Sequence, residues 1–389
     1  MNENLTIIKP DLAPAPEFSV TPLDARRLKD GIAVRVPNWL GDAIMTLPAL
    51  MQLRKIMPEN YGLFVICPAA LADLFKALPV VDVVFSLKQT HRAWTLGEIK
   101  AVGKLHAGIG ILFNNSLRDA IHFRLAGIGT LYGAAARFRG LLLKRSFKFP
   151  KRQDFVLNGL HHANKYLSIV KALGAPDWNG ELPEFNITPE LEKLRPELLA
   201  ICRHPRLMTL AAGAAYGSSK RWDSGNFKAV IEWWIGQGGI AAVLGTAKEQ
   251  DICREAIEGL SSGKVFNLAG KTNMPELMHL LKSSAVCVAN DSGIMHLAAA
   301  LGCPGVAIFG PTDHSATSPI SASWKVVFQK QPCAPCFKRE CPKGDPVCMT
   351  SITPQMVIAE LEKMNLVGIK HRLRLNSPAC PGFSSSDRH

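Results

Sequence analysis

Short apolar runs alternate with amphipathic stretches along the first half of the chain. The run GIAVRV at 31–36, which Pro37 ends, is typical of a strand buried on both faces. The stretch 42–57 instead repeats its apolar residues with helical spacing, at Ile44, Leu47, Leu50, Met51 and Leu53. By the same criteria we predict further strands at 63–67, 80–86 and 107–113 and a second helix at 69–78.

The alternation stops at 174–206 and then starts again. This segment is rich in Pro, Gly and Asn and holds no sustained apolar run, which is typical of a connection between domains. Beyond it we predict strands at 207–212, 240–244, 285–289 and 305–309 and helices at 224–237, 248–260, 277–284 and 294–301. The same kind of unit therefore occurs twice, without close repetition of sequence.

Alternating strands and helices predict an α/β fold in which helices cover both faces of a parallel sheet. We predict two facing, doubly wound, Rossmann-like domains with a ligand-binding cleft between the carboxyl ends of their strands. The predicted units are an N-terminal extension at 1–30, a first domain at 31–180, a linker at 181–206, a second domain at 207–366 and a C-terminal tail at 367–389.

The composition, 47% hydrophobic and 20% charged, is that of a globular protein. No uncharged apolar run reaches the roughly 18 residues that a membrane-spanning helix needs. Residues 1–30 carry acids and prolines but no basic region followed by an apolar core, so they lack the pattern of a secretory signal. We expect them to lie mostly outside the fold. Without an export signal the ten cysteines are expected to stay reduced and not to form disulfides.

The net charge of +13 narrows the classes of partner. Such an excess favours an anionic partner, whether nucleic acid, a phospholipid surface or a phosphorylated substrate, although a merely basic surface is the alternative. No helix-turn-helix, zinc-finger, RNP or KH pattern supports nucleic acid. A lipid surface or a phosphorylated substrate is therefore the better expectation.

Asp42 follows the first predicted strand, in the segment RVPNWLGDA at 35–43. A tight turn that contains Gly41 ends there and a helix begins. Because Asp is a favoured N-cap residue, a purely structural role is open. The functional alternative is a carboxylate at the mouth of the cleft that acts as a general base.

The segment GAAYGSSKRW at 213–222 also lies between a predicted strand and a helix. Its small residues let backbone N–H groups approach a phosphate, its hydroxyls can donate hydrogen bonds, and Lys220 supplies positive charge. It lacks the GxxxxGK[ST] pattern of a Walker loop. A plain connection is possible, but the basic pair at 220–221 favours phosphate binding. The candidates are Ala215, Tyr216, Ser218, Ser219 and Lys220.

A third segment, NDSGIMHLAAA at 290–300, opens an Ala-rich helix directly after a strand. The N–H groups of Ser292 and Gly293 should be exposed at the helix start, where the dipole favours an anion. Asp291 belongs to the same turn. His296 falls on the first turn of the helix, and a structural role is as plausible for it as a functional one. The turn FGPTD at 309–313 is expected to point into the same cleft.

The late cysteines Cys333, Cys336, Cys341 and Cys348 form the pattern C-x2-C-x4-C-x6-C. In a reducing compartment this pattern is compatible with zinc or an iron–sulfur cluster. It matches neither a paired C-x2-C ribbon nor a ferredoxin run, and Lys338, Arg339 and Lys343 lie among the cysteines. A basic loop with unligated thiols, or thiols packed as small hydrophobic side chains, is the preferred interpretation, with a metal as the alternative.

Taken together, these segments resemble the ADP-heptose:lipopolysaccharide heptosyltransferases, which build the inner core of Gram-negative lipopolysaccharide. The matching motifs, in order, are PNWLGDAIMTLPAL, GAAYGSSKRW, NDSGIMHLAAALGCPGVAIFGPTD and the CAPCFKRECP…CM block. The resemblance spans 31–366. The KRW and NDSG-x-MH wording and the cysteine block resemble the type II branch more than type I.

The resemblance implies the GT-B glycosyltransferase architecture, with the acceptor on the N-terminal half and the ADP-sugar on the C-terminal half. Carried over by position, Asp42 matches the catalytic base and Lys220 the lysine on the donor diphosphate. Asp291, Ser292, Gly293 and His296 match the turn that contacts the donor. Glu249 matches an acid near the donor ribose, and Thr272 falls where the adenine is contacted through backbone atoms.

The reaction implied is transfer of L-glycero-D-manno-heptose from ADP-heptose to heptosyl-Kdo2-lipid A, with inversion and with no metal or other cofactor required. A peripheral location at the cytoplasmic face of the inner membrane is expected. The N-terminal half concentrates basic residues that suit a phosphorylated glycolipid acceptor, although a solvated basic loop is equally possible. These are Arg118, Arg124, Arg137 and Arg139, with Lys144, Arg145, Lys148, Lys151 and Arg152 beside them.

Three other functions are alternatives to this one, besides a metal-dependent regulator built on the cysteine block. The first is a glycosyltransferase of the same fold with another nucleotide-sugar or acceptor, and the second is a non-catalytic protein that binds a nucleotide-sugar. The third is a dinucleotide-dependent oxidoreductase, which the sequence disfavours because PNWLGD stands where the G-x-G-x-x-G fingerprint would follow the first strand.

Overall fold

The computed structural model describes residues 5–6, 17–90, 92–150, 160–187, 194–261 and 263–364. The strands, in chain order, are β1 (Leu5–Thr6), β2 (Gly31–Arg35), β3 (Gly62–Pro68), β4 (Val83–Leu87), β5 (Ile109–Leu112), β6 (Thr130–Ala134), β7 (Arg145–Phe147), β8 (Leu207–Ala211), β9 (Ile240–Val243), β10 (Val265–Asn267), β11 (Val286–Asn290), β12 (Gly305–Phe309) and β13 (Trp324–Phe328).

The helices are α1 (Leu40–Ile44), α2 (Leu47–Lys55), α3 (Ala72–Lys76), α4 (Leu96–Gly103), α5 (Leu117–Leu125), α6 (His162–Ala172), α7 (Pro196–Cys202), α8 (Ser224–Gly236), α9 (Gln250–Glu255), α10 (Met274–Ser283), α11 (Gly293–Ala300), α12 (His314–Thr317), α13 (Val347–Thr350) and α14 (Pro354–Lys363). Short 3-10 turns lie at Ala25–Arg27, Ala69–Leu71, Arg139–Leu142, Ser218–Lys220 and Ala247–Glu249.

The strands form two separate sheets with the same internal order. The N-terminal sheet runs β4-β3-β2-β5-β6-β7, all parallel. The C-terminal sheet runs β13-β12-β11-β8-β9-β10, also parallel, with β1 added antiparallel at its β13 edge. In each sheet the strand order reverses next to its first parallel strand, between β2 and β5 and between β8 and β11. The prediction of two doubly wound α/β units is confirmed.

The predicted helix at 42–57 is divided into α1 and α2. Pro48 lies in the first turn of α2, where its missing N–H is tolerated, but it could not continue α1. The side chains predicted to share a face are still buried together, because Ile44, Leu47 and Leu50 all enter the core. The break leaves α1 as a helix of five residues.

A continuous apolar core joins the two halves of the molecule. Ile44 and Leu47 from the N-terminal half and Met295 and Ala298 from the C-terminal half belong to one cluster of buried side chains. Helix α1 packs directly on α11. The interface therefore lies where the first helix of one sheet meets the helix that follows β11 in the other.

The N-terminal extension contributes to the fold more than its composition suggested. The N–H of Thr21 donates to the carbonyl of Ala172 at 2.8 Å, and the Phe18 ring lies 5.1 Å from that of Phe147. Leu28 is buried. The expectation that this extension lies mostly outside the fold is therefore wrong for residues 17–30, since its apolar side chains find a surface near α6 and β7.

Within the part of the chain that the structure describes, no helix has both the length and the apolar character needed to span a bilayer. The predicted tail at 367–389 falls outside the described residues. Of the predicted linker, the described portion contains α7, which Pro196 starts.

Candidate functional site

The three predicted chemical segments all leave strands next to the points where strand order reverses. Asp42 follows β2, the 213–221 loop follows β8, and the 290–293 turn follows β11. In doubly wound sheets, ligands bind outside the carboxyl ends of the strands at such reversal points. The topology therefore places these segments where a nucleotide would be held.

Asp42 is the third residue of α1 and is half-buried. The N-cap position belongs to Trp39, whose side chain makes no capping hydrogen bond. The alternative role of Asp42 as an N-cap is therefore wrong. Its charge acts on two side chains of α6: it raises the pKa of Tyr166, which burial has already raised, and partly opposes the burial that lowers the pKa of Lys165. The carboxylate thus faces helix α6.

Two glycines let α1 and α11 approach closely. A β-carbon on Gly41 would lie 2.8 Å from Cδ2 of His296, and a β-carbon on Gly293 would lie 2.9 Å from Cβ of Leu40. Such distances are shorter than real contacts, so only glycine fits at either position. The segment that carries Asp42 is therefore seated directly on the start of the helix that follows the 290–293 turn.

His296 is buried, and burial lowers its pKa to about 4. Asp291 opposes this shift, whereas Lys220 and the protonated forms of His161 and His162 add to it. The imidazole is consequently neutral near pH 7. It can form hydrogen bonds or pack, but it does not add a positive charge to the site.

Lys220 and Asp291 form a buried ion pair between the two loops of the C-terminal half. The Lys220 Nζ lies 2.5 Å from Oδ2 of Asp291, and the side chains are 12% and 7% exposed. The Thr312 hydroxyl donates to the same carboxylate oxygen at 2.7 Å. The 309–313 turn thus reaches the site as expected, and Thr312 is a site residue that the sequence did not single out.

Asn290 holds the same two loops together through its side-chain amide. Its Nδ2 donates to the carbonyl of Ala212 at 2.7 Å, and its Oδ1 accepts from the N–H of Trp222 at 3.1 Å. Both ends of the 213–221 loop are thereby fixed to the end of β11. The buried amide thus acts by positioning the two loops.

The 213–221 loop also rests on the loop that carries the late cysteines. The Tyr216 hydroxyl donates to the Phe337 carbonyl at 2.8 Å, and the Ser219 hydroxyl donates to the Lys338 carbonyl at 2.6 Å. The guanidinium of Arg339 lies 5.3 Å from the centre of the Tyr216 ring. These hydroxyls, predicted to face a phosphate, are engaged with backbone here, and Arg339 is brought to the site. The only signal for Arg339 was its place among the cysteines.

The other residues that were predicted to bind the sugar donor lie around this loop. Glu249 is buried, accepts from the N–H and hydroxyl of Thr246 at 2.8 Å each, and lies against Gly213. Thr272 is half-buried in the connection between β10 and α10, and Ala215 and Ser218 are exposed. The hydroxyl oxygen of Ser292 caps α11 by accepting from the N–H of Met295 at 3.5 Å.

The predicted acceptor arginines are used differently from one another. Arg118 donates to the Thr90 carbonyl at 2.8 Å, and Arg124 donates to the carbonyls of Gly129 and Leu142. Arg139 is completely buried and donates to the carbonyls of Ala134 and Asn114 at 2.8 and 2.6 Å. Arg137 is exposed. Lys151 and Arg152 lie outside the described residues.

A buried ion pair that the sequence did not indicate supports the strand end before Asp42. The Nε of Arg35 donates to Oδ2 of Asp119 at 2.9 Å, with side-chain exposures of 1% and 5%. The same guanidinium donates to the Val36 carbonyl and to Oδ1 of Asn38. Because these residues belong to the turn that leads into α1, the pair fixes the path of the chain to Asp42.

The four late cysteines lie near one another. Burial raises the pKa of Cys348 to about 11, with smaller contributions from the other three thiols. In the described ranges, however, no group of three or more His, Cys, Asp or Glu side chains is arranged to hold a metal ion. Cys333 is exposed, and Cys336 and Cys341 are half-buried.

Most of the chain is similar to known proteins. The model of glycosyltransferase family 9 (heptosyltransferase) matches residues 98–346. The chain is 27% identical to lipooligosaccharide heptosyltransferase 2 of Campylobacter jejuni over 338 residues, which cover 86% of this chain and 99% of that protein. It is 26% identical to lipopolysaccharide heptosyltransferase 2 of Escherichia coli over 348 residues, with coverages of 86% and 98%.

Solved structures share the fold. The chain is similar to E. coli ADP-heptose lps heptosyltransferase II, with a TM-score of 0.68, 23% identity and coverages of 86% and 98%. It is also similar to a family 9 glycosyl transferase from Veillonella parvula, with a TM-score of 0.73, 19% identity and coverages of 91% and 99%. These likenesses extend over both sheets and confirm the predicted two-domain architecture.

Proposed function

The chain belongs to glycosyltransferase family 9, the heptosyltransferases, and from this premise we propose that it transfers L-glycero-D-manno-heptose from ADP-heptose to heptosyl-Kdo2-lipid A. It is a heptosyltransferase of the lipopolysaccharide core and most resembles heptosyltransferase 2. One observation supports the proposed donor, acceptor and base. The helix that contains Asp42 packs on the start of α11, between the points where the strand order of each sheet reverses.

The donor diphosphate is assigned to the C-terminal half, at the 213–221 loop and the 290–293 turn. Lys220 and the N–H groups at the start of α11 offer positive charge where the leaving ADP accumulates negative charge. Removal of one such preorganised contact typically costs about 2.7–4 kcal/mol in the transition state. Glu249 and Thr272 are assigned to the ribose and the adenine. As the family resemblance implies, we propose that no divalent cation is required.

Asp42 is assigned as the general base on the acceptor side. The acceptor hydroxyl oxygen forms a bond to the anomeric carbon, the bond from that carbon to the β-phosphate oxygen breaks, and ADP departs with the electron pair. The proton of the hydroxyl passes to the Asp42 carboxylate. Attack from the face opposite ADP inverts the anomeric centre, and proton removal of this kind contributes about 10²–10⁴ in rate.

The acceptor is assigned to the N-terminal half, where the basic residues are concentrated. Arg118 and Arg137 follow β5 and β6, whose carboxyl ends share an edge with that of β2. Two of the predicted acceptor arginines do not fit this assignment, because Arg139 is buried and Arg124 is bound to the Gly129 carbonyl at the amino end of β6. A phosphorylated glycolipid would bring its anionic groups to this edge. Such an acceptor requires contact with the cytoplasmic face of the inner membrane, which we propose to be peripheral.

The test is mass spectrometry of the products formed by the purified protein from ADP-heptose and a monoheptosylated Kdo2-lipid A. A product heavier by one heptose is expected. Asp42→Asn should abolish most of this transfer while ADP still binds. The matched control is Asp73→Asn, which changes another first-turn acid of a five-residue helix.

Three outcomes would reject parts of the proposal. Transfer from another nucleotide-sugar in a panel would replace the donor, and binding of ADP-heptose without any transfer would indicate a non-catalytic protein. Near-normal turnover of Asp42→Asn would remove Asp42 from its role as the base.

A further inference from the structure

Phe138 and Leu141 are, among the described residues, the most exposed large apolar side chains, at 95% and 97%. Both belong to the segment that leaves the carboxyl end of β6. On the neighbouring helix α5, Ile121 and Leu125 are 42% and 65% exposed, and their spacing of four residues puts them on one face. We call these four side chains the apolar patch.

The two elements that carry the apolar patch are fastened to each other. The 3-10 turn Arg139–Leu142 packs on α5, and the Arg124 guanidinium of α5 donates to the carbonyl of Leu142. From the inner side, the buried Arg139 donates to the carbonyls of Ala134 and Asn114. The exposed apolar side chains therefore stand on a braced support.

The backbone is held in an unfavourable conformation where Phe138 projects. Arg137 and Phe138 have positive φ values of 47° and 60°, which are uncommon for residues other than glycine and more so for a bulky one. Strained backbone of this kind persists where the surrounding structure imposes it and is concentrated at functional positions. Here its effect is to present an aromatic ring to solvent.

Within the chain segment that carries the apolar patch, nearly all charged side chains are basic. Between residues 113 and 150 the sequence contains seven Lys and Arg side chains and a single acid, Asp119. That acid is buried and paired with Arg35, so it does not offset the cations at the surface. Arg124, Arg137, Lys144 and Lys148 are all exposed. A surface that combines apolar side chains with uncompensated cations is complementary to an anionic lipid bilayer.

We propose that the apolar patch, with its surrounding cations, is the surface by which this protein docks on an anionic phospholipid bilayer. Phe138 and Leu141 would enter the interface between headgroups and acyl chains, and the cations would contact the lipid phosphates. The patch begins at the carboxyl edge of the sheet from which Asp42 projects. Docking there would bring a lipid-borne acceptor to that edge, and to this extent the inference rests on the proposed function.

The test is flotation of the full-length protein with phosphatidylcholine vesicles, with or without phosphatidylglycerol and without substrates. Binding is expected only to the vesicles that contain phosphatidylglycerol and should weaken as salt rises. Phe138→Ser/Leu141→Ser should lower the partition coefficient at least about tenfold. Val347→Ser, which changes an exposed apolar side chain of the C-terminal half, should leave it unchanged.

Several results would overturn the inference: equal binding of the double variant and the parent protein, equal binding to neutral vesicles, or no binding at all. Conversion of a dimer into a monomer by the double variant in analytical ultracentrifugation would assign the patch to a second copy instead. Heptose transfer to a deacylated acceptor separates the two proposals. The double variant should retain this transfer, and its absence in the parent protein would reject the proposed function while leaving vesicle docking intact.

Discussion

Gly41 lies against His296 so closely that a β-carbon on the glycine would stand 2.8 Å from Cδ2 of the imidazole. The contact crosses from the N-terminal to the C-terminal half of the molecule, one residue before Asp42. Because His296 is buried and neutral, the contact is one of shape and not of charge. The position of the carboxylate relative to the 290–293 turn therefore depends on how closely these two helices approach.

Gly41→Ala should consequently slow transfer more than it weakens nucleotide binding. Overpacking typically costs about 1–3 kcal/mol, and if that strain displaces Asp42 in the transition state, kcat should fall by between about fivefold and about 150-fold. Measurement of kcat beside the Kd for ADP checks this. In a His296→Ala background the added methyl group finds room, so the same change should cost less. Gly236→Ala, with no atom within 4 Å of the new carbon, is the control; equal costs in both backgrounds would contradict the interpretation.

Lys220→Met should weaken ADP binding at least about tenfold, since one charge-assisted contact to the diphosphate is lost. It also leaves Asp291 buried without its cation, which should lower the free energy of unfolding by about 3 kcal/mol. Addition of Asp291→Asn should restore part of this stability but not the affinity. Calorimetric titration with ADP and urea denaturation separate the two effects, with exposed Lys282→Met as the control. Unchanged ADP affinity in Lys220→Met would remove this lysine from the site.

The free energy of unfolding should decrease as the pH falls below 6.5, because His161 is buried in the folded protein. Burial lowers the pKa of His161 from 6.5 to about 4, and its Nε2 and Nδ1 are engaged with the Ser318 carbonyl and the Ala163 N–H. Between pH 6.5 and pH 4, His161 is protonated in the unfolded chain but stays neutral in the folded chain. Stability is therefore complete above pH 6.5 and falls as the pH drops to 4, by up to about 3 kcal/mol for this residue.

The check is the free energy of unfolding in urea at several pH values from 4 to 7.5 for the parent protein and for His161→Gln. The variant should show a shallower dependence on pH in this range. His106→Gln removes a histidine that is 65% exposed and serves as the control. An identical slope in the parent protein and His161→Gln would show that this histidine does not govern the effect.

Much of the fold followed from local patterns, because both sheets are built from buried parallel strands. The apolar runs at 31–36 and 305–309 coincide with β2 and β12 to within one residue. Four of the parallel strands, β6, β7, β10 and β13, were not predicted. A glycine interrupts β6, and β7 and β10 have only three residues each. Pairing with neighbouring strands of the sheet stabilises these segments, and that information is not local.

The sequence predicted which loops form the candidate site, but not which side chains of these loops contact one another. Asp291 and Lys220 were identified from small-residue turns after strands, yet nothing in either segment indicates that the two side chains pair across 71 positions of sequence. The bond from the Tyr216 hydroxyl to the Phe337 carbonyl spans 121 positions. Such contacts depend on the relative placement of loops by the whole sheet, so a single sequence names the candidates without their partners.

The buried pair of Arg35 and Asp119 provides a last prediction, because it links stability to the turn that precedes Asp42. Asp119→Ala leaves the Arg35 guanidinium buried without its carboxylate, which should lower the free energy of unfolding by about 3–5 kcal/mol. The control is Asp251→Ala, which breaks the exposed pair of Asp251 and Arg254 and should lower the free energy of unfolding by less than about 1 kcal/mol. The double change Arg35→Met/Asp119→Leu removes both charges and should recover most of that stability.

Activity should not recover with it, because Arg35 also holds the Val36 carbonyl and the Asn38 side chain in the turn before Asp42. The test is to measure kcat and the free energy of unfolding in urea for the parent protein, Asp119→Ala and Arg35→Met/Asp119→Leu. If the double variant regains both stability and turnover, the guanidinium is only a structural cation. If it regains stability alone, the pair sets the position of Asp42, the proposed base, as its place at the end of β2 indicates.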